Sequence, residues 1–242
     1  NLYYCEEISA TNPCGEQPLP PDASCNLGSI NLTQYILADR SGFDFEKLAK
    51  DIPTILRMQD SVNDLTYFPL EEQKEQAQRK RRVGIGYMGY GSALYLLKLS
   101  YGSKKALEVT EELCSFVTNK LYQASAYLAK EKGCFADFDK DKYLESNFVK
   151  QALWEETIEL IKLYGLRNSH ITTVAPTGNT GIFANLVSGG LEPVISHQYV
   201  RTLVVPECPE GLVIPININW DLSQCANIGD WEWTKEGDDS IL

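Results

Sequence analysis

Four residues near the start of the chain have the types and spacing for chemistry on a small molecule: the amide of Asn12, the thiol of Cys14, the carboxylate of Glu16 and a second thiol, Cys25. They lie in NPCGEQPLPPDASCNLGSIN, residues 12–31, a stretch broken by Pro13, Gly15, Pro18, Pro20 and Pro21. The i, i+2, i+4 spacing of the first three would line one face of an extended segment. Pro13 fixes its own φ and biases Asn12 away from helix, so an extended or turning backbone is expected there. Three functional groups could then converge on one ligand. A polar surface loop with an incidental thiol fits the spacing equally well.

The second such stretch is Asn168 to Pro193, NSHITTVAPTGNTGIFANLVSGGLEP. Ile171 to Ala175 is β-branched and apolar and reads as a buried strand that Pro176 ends. Thr177, Gly178, Asn179, Thr180 and Gly181 follow. Small residues after a strand let the backbone approach an anion, and Thr177 and Thr180 add hydroxyl donors. The Lys and spacing of a Walker loop are absent, and a structural turn is the alternative. His170 and His197 stand alone, and neither is assigned a catalytic role.

These loops need elements to hold them. A short strand over Glu7 to Ala10 leads into the first loop. Asp44 starts a helical pattern through Phe45, Leu48, Ala49, Ile52, Ile55 and Leu56, with Pro53 as a kink or break. Glu71 to Arg82 is almost wholly polar and reads as a solvated helix face leading into a turn. Gly84 to Gly89, GIGYMG, satisfies GxGxxG, but charged residues precede it and the position about 20 further on lies in a helix. A close-packed, glycine-rich helix start is preferred over a dinucleotide site. Ser103 to Lys132 is a helix with a stripe through Ala106, Val109, Leu113, Phe116, Val117, Leu121, Ala124 and Leu128, and Gly133 stops it. Cys114 beside that stripe reads as a packed, inert thiol. A further helix is expected from about Phe148 to Tyr164, with Trp154 packed in it and Gly165 as its stop. Val200 to Val205 and Leu212 to Ile218 look like strands. Asp221 to Leu242, with Trp231 and Trp233, is acidic and looks cut off rather than concluded.

At 242 residues the chain can bury a sizeable core. Its net charge of −11, from 22 basic and 33 acidic residues, argues against nucleic acid or an anionic membrane as partner. Nothing reaches membrane-spanning length, and NLYYCEEISA lacks the order of a signal peptide, so a cytoplasmic protein is expected. Cysteines at 5, 14, 25, 114, 134, 208 and 225 form no CxxC pair. That spacing suits neither a disulfide framework nor a zinc site, so no metal ligands are assigned.

The order NPCGEQPLPP, SCNLGSINL, RRVGIGYMG, NSHITTVAPTGNTG, GGLEP and YVRT resembles the catalytic subunit of ribonucleotide reductase, most closely the adenosylcobalamin-dependent class II type. The resemblance implies an α/β fold, the second half of a ten-stranded α/β barrel, with a finger loop at residues 11–31 and a phosphate loop at 175–181. It implies one fragment of that barrel domain across residues 1–242. By the same resemblance, Cys14 matches the thiol whose radical abstracts the ribose 3′ hydrogen. Glu16 matches the carboxylate that accepts the 3′-hydroxyl proton, Asn12 the amide on the ribose hydroxyls, and Cys25 one of two thiols that reduce the 2′ carbon. Pro176, Thr177, Gly178, Asn179 and Thr180 match the loop that holds the substrate phosphates.

Implied partners are a ribonucleotide, adenosylcobalamin and a thioredoxin- or glutaredoxin-type reductant. The first barrel half and the C-terminal shuttle cysteines are expected to be missing, with Cys208 and Cys225 poor substitutes by chain order. Covalent continuity, a split partner or self-association would complete the barrel, and the chain alone is not expected to turn over. The rivals are a class I large subunit with a separate radical generator, another radical enzyme of the same barrel type, and a nucleotide-binding subunit that only completes a partner's fold.

Overall fold

A computed structural model describes residues 2–194, of which 2–193 belong to the compact unit Asn1–Pro193. The expected strands at 200–205 and 212–218, His197, Cys208, Cys225 and the tryptophans beyond 219 lie outside the described residues.

At the centre, β3 (Asn26–Asn31) and β4 (Val83–Met88) pair in parallel, with Asn26 opposite Val83 and Asn31 opposite Met88. A third segment runs alongside β4. Val83 N–H donates to His170 C=O (3.0 Å), Ile85 N–H to Ile171 C=O (2.7 Å), and Thr173 N–H to Ile85 C=O (3.1 Å). This segment makes a single parallel bridge, Ile85 to Thr172, and Val174 is 40% exposed. The expected buried strand therefore holds at Ile171 and fades before Pro176. No closed barrel is present among the described residues.

Side-chain alternation sorts the two sheet faces. On one, a Cβ at Gly28 would meet the Gln59 amide at 2.6 Å, so β3 lies directly on α1 (Phe45–Leu65). Leu48, Ile52 and Leu56 of that helix are fully buried, and α4 (Lys104–Lys132) packs against it. On the other face, Gly84 and Gly86 leave room for backbone and side chains from elsewhere. A Cβ at Gly84 would lie 2.7 Å from Gln17 Nε2, and one at Gly86 would lie 2.1 Å from the Thr173 carbonyl oxygen. Because the obstacle at Gly86 is backbone, Gly86→Ala is expected to cost about 2–3 kcal/mol, the upper part of the range for overpacking. A urea midpoint unchanged by this substitution would contradict the close approach.

Several expectations change here. GIGYMG is not a helix start: its first five residues lie in β4, buried throughout, and only Gly89 serves as the cap of α3 (Tyr90–Leu96). The first two glycines sit inside a strand rather than in a strand-to-helix turn, which also removes the dinucleotide geometry. Helix α2 (Glu71–Lys80) is followed by Arg81 at φ +47°, and Lys80, Arg81 and Arg82 are at most 5% exposed rather than solvated. Each finds a carboxylate: Lys80 with Asp137 (2.7 Å), Arg81 with Asp60 and Asp64 (both 2.8 Å), and Arg82 with Glu6 (2.8 Å).

Helix α1 begins at the Asp44 cap as expected but runs through Pro53 without ending. Helix α4 has Ser103 as its N-cap, its side-chain oxygen accepting from Ala106 N–H, and Gly133 as its C-cap. Two short helices, α5 (Lys140–Glu145) and α6 (Asn147–Ala152), precede α7 (Glu155–Tyr164). The single helix expected over 148–164 is thus broken at Leu153–Trp154. Asn119 on α4 causes the break, since its Oδ1 accepts Trp154 N–H (2.7 Å) and Thr157 Oγ1 (2.9 Å). Among the described residues no helix is long and apolar enough to cross a membrane.

Candidate active site

The first loop is a short hairpin. Its strands, β1 (Ala10–Thr11) and β2 (Pro18–Leu19), are antiparallel, so the expected strand at Glu7–Ala10 is shorter and later than its sequence suggests. Asn12 closes the tip. Its N–H donates to Gln17 C=O (3.2 Å), its Oδ1 accepts Gln17 N–H (2.9 Å), and its C=O accepts Gly15 N–H (3.0 Å). Pro13 and Cys14 are therefore the central residues of a four-residue turn, and Gly15 completes it at φ +82°, a conformation that favours glycine.

This corrects the extended-face reading: Asn12, Cys14 and Glu16 are carried by a turn and its returning arm, not by one face of an extended strand. The Cys14 thiol stands exposed at the tip. The carbonyl side of the Asn12 amide is committed to Gln17, which leaves its Nδ2 group to donate elsewhere.

The returning arm is pinned to the sheet. Thr173 Oγ1 donates to the Glu16 carbonyl (2.7 Å), and Gln17, 5% exposed, fills the space over Gly84. Glu16 Oε2 is buried with no hydrogen-bond partner among the described residues. An orphaned carboxylate oxygen in such a place is a ready acceptor for a hydroxyl proton.

Cys25 lies immediately before β3. Its Sγ contacts the Asn26 carbonyl at 3.6 Å. Burial pushes its thiol up to about 12; Arg82 opposes that shift and Glu16 adds to it. Cys25 is accordingly a protonated thiol at neutral pH. Cys114, half-buried on α4, is also raised by burial, with Tyr87 opposing the shift, consistent with a packed role.

The second loop follows the third parallel segment. Thr177 adopts φ +50° and caps α8 (Gly178–Phe183), whose Gly178, Asn179 and Thr180 are exposed. The N–H groups in the first turn of a helix lack intrahelical partners and can receive an anion. Thr177 Oγ1 accepts Gly190 N–H (2.8 Å), so its hydroxyl also holds the loop.

Sequence reasoning missed the residues that clamp this loop. Asn31, at the end of β3, donates to Ala184 C=O (3.4 Å), and Ser92 and Ser188 exchange backbone-to-hydroxyl bonds (3.1 and 3.2 Å). Gly89 N–H donates to Ser188 C=O (2.7 Å). Single polar residues at strand and helix ends carry no local signal of such long-range pairing. The loop therefore sits at the carboxyl ends of the parallel strands, the usual place for a ligand in such sheets.

His170 is held neutral: burial, Arg82 and Lys80 all push its imidazolium form well below the ordinary range. The unfolded chain takes up a proton near pH 6.5 that the folded chain refuses, so stability should fall as pH drops below that value. Thermal midpoints measured from pH 7 to 5 should decline less steeply for His170→Gln. Parallel profiles would contradict a buried neutral imidazole.

Residues 1–218 match the family described as "Ribonucleotide reductase, barrel domain". The chain belongs to that family. It is 40% identical over 195 residues to the "Vitamin B12-dependent ribonucleoside-diphosphate reductase" of Thermoplasma acidophilum, covering 81% of this chain and 23% of that protein. It is 33% identical over 201 residues to the "Ribonucleoside-diphosphate reductase subunit alpha" of Chlamydia muridarum, covering 74% of this chain and 19% of the relative. A Mycobacterium tuberculosis protein named as B12-dependent is 33% identical over 197 residues, 81% of this chain and 26% of its own length. The chain thus spans about a quarter or less of the length of these relatives.

Proposed function

We propose that this chain is the second half of a ten-stranded ribonucleotide reductase barrel, and that the protein containing it reduces ribonucleotides to deoxyribonucleotides by thiyl-radical chemistry. The observation that carries this reading is the hairpin: an exposed thiol at a turn tip, a half-buried carboxylate two residues on with one buried, orphaned oxygen, and an amide donor at its base. Cys14, as a sulfur radical, takes the 3′ hydrogen of the ribose. Glu16 accepts the 3′-hydroxyl proton, a general-base contribution of about 10²–10⁴ in rate. Asn12 Nδ2 donates to a ribose hydroxyl. As the 2′ hydroxyl leaves as water, Cys25 and a second thiol carried by the first barrel half supply two electrons and become a disulfide. A dithiol reductant of the thioredoxin or glutaredoxin type then reopens it. Pro176 to Thr180 hold the phosphates through the exposed N–H groups at the start of α8.

Adenosylcobalamin fits as cofactor, because the Cys14 thiol is open to approach at its tip; when bound, it supplies the radical that Cys14 carries. The chlamydial likeness supports a second reading, a class I subunit whose radical comes from a partner protein. Anaerobic product formation, assayed with each ribonucleotide and a dithiol, separates them. It would be run on the full-length protein or on this chain joined by the first barrel half. Turnover that requires adenosylcobalamin supports the first reading, and turnover that requires a second protein instead supports the other. No turnover with either leaves a nucleotide-binding, fold-completing segment. Activity of this chain alone would overturn the half-barrel reading.

A further inference from the structure

The amino ends of the three parallel strands carry a row of groups that the proposed reaction does not use. Asn26 pairs with Val83, and Val83 N–H donates to His170 C=O (3.0 Å). The residue before each partner places Cys25 beside Arg82, with His170 on the far side. Arg82 is 2% exposed. One of its nitrogens, Nη2, donates to both oxygens of Glu6 (2.8 and 2.9 Å), whose side chain is 6% exposed. Its Nε is buried and has no partner among the described residues. A guanidinium has five donors in a fixed fork, and leaving one unused in a buried place calls for an acceptor. The charged groups that act on Cys25 are Arg82, immediately before β4, and Glu16, from the hairpin. The charged group that faces Arg82 is Glu6, paired with it; the titratable His170 beside it is held neutral.

We propose that Arg82 is a positioning residue for Cys25, its buried guanidinium receiving the sulfur anion that Cys25 becomes whenever a disulfide on that sulfur is opened by an external dithiol. In that step a thiolate of the dithiol attacks the partner sulfur, the S–S bond breaks, and the electron pair leaves on Cys25. The dithiol's second thiol then attacks the mixed disulfide, closes the dithiol's own disulfide and releases the partner sulfur, so the dithiol is oxidised and Cys25 and its partner sulfur are reduced. Glu6 holds the arginine in place, while burial, with a smaller contribution from Glu16, keeps the resting thiol protonated. The proposal rests on reading Cys25 as a redox thiol, but its test does not.

The test is the rate of iodoacetamide alkylation at Cys25 in the full chain, followed at pH 9 by fragmentation mass spectrometry, with Cys14 as internal control. Thiolate, not thiol, reacts. The double variant Glu6→Gln/Arg82→Gln should slow Cys25 about tenfold, the equivalent of one pK unit, and leave Cys14 unchanged. Arg82→Lys, which keeps the charge, should stay within about threefold of the parent, under half a pK unit. A merely structural role predicts the opposite sign, because a loosened site admits reagent faster. Should the amide pair not fold, Glu6→Leu/Arg82→Met removes both charges at similar volume and is read the same way. An unchanged or faster Cys25 in the double variant, or an equal slowing in Arg82→Lys, would overturn the proposal. Failure of the redox reading would show separately, as turnover by Cys25→Ser in the assay above.

Discussion

The full-length protein carrying Cys14→Ser is expected to lose deoxyribonucleotide formation by more than about 10⁴-fold, well within what an enzyme contributes to its reaction, while still binding ribonucleotide. The substitution changes one exposed atom. The turn that presents it is built from Asn12 and Gly15 backbone groups, the Asn12 side chain and Gln17, none of which the substitution touches. The loop proposed to hold the phosphates is fastened elsewhere, through Asn31, Ser92, Ser188 and Gly190. Binding should therefore survive, and only the hydrogen transfer should fail, because a serine O–H bond is too strong to exchange hydrogen with a ribose C–H. Glu16→Gln should be milder, since it removes general-base help and leaves the radical site intact. Product analysis by chromatography and ribonucleotide binding by calorimetry make the distinction. Turnover retained within tenfold in the serine variant would remove Cys14 from the chemistry and favour a binding-only segment.

What could be read in the sequence was local. Ser103 and Gly133 bracket α4, and Asp44 caps α1, because caps and apolar stripes are short-range signals. The proline and glycine punctuation of residues 12–21 marked a loop, although not that Asn12 would close it as a hairpin. What was missed was set by distant partners. Glycine disfavours strands, so GIGYMG does not announce β4; Gly84 and Gly86 are there because Gln17 and Thr173 come too close for a Cβ. Lys80, Arg81 and Arg82 look solvated until Asp137, Asp60, Asp64 and Glu6 arrive from elsewhere in the chain. Trp154 sits in a helical pattern that Asn119 interrupts. The site residues were likewise suggested by spacing but given roles only by the ordered blocks of the family resemblance.

Asp60→Ala is expected to destabilise the folded unit by about 3–5 kcal/mol, the cost of leaving a buried ionic cluster without its central partner. Asp60 is fully buried on α1. Its Oδ1 accepts from Arg81 Nε (2.8 Å) and Asn168 Nδ2 (3.0 Å), its Oδ2 from Arg167 Nε (3.3 Å), and Lys132 Nζ lies 3.8 Å away. Asn168 also donates to the Arg81 carbonyl (3.1 Å) and accepts from Ser125 (3.0 Å) on α4. One carboxylate thus joins α1, the start of β4, α4 and the approach to the third parallel segment. Its loss would strand Arg81 in the interior, with Asp64 as its remaining carboxylate partner. The exposed pair Arg57–Glu131 provides the contrast: both side chains are about half exposed, and Arg57→Ala should shift stability by at most about 1 kcal/mol. Urea unfolding of the two variants compares them directly, and equal midpoints would show the buried cluster to be dispensable. Domains are held together by only about 5–15 kcal/mol, so the larger loss consumes much of the margin. Because Arg81 precedes Arg82 and Asn168 precedes the segment that pins Glu16, the hairpin should loosen before the chain unfolds. Hydrogen exchange at the amide of Thr173, which is bonded to β4, should then rise in Asp60→Ala more than in Arg57→Ala.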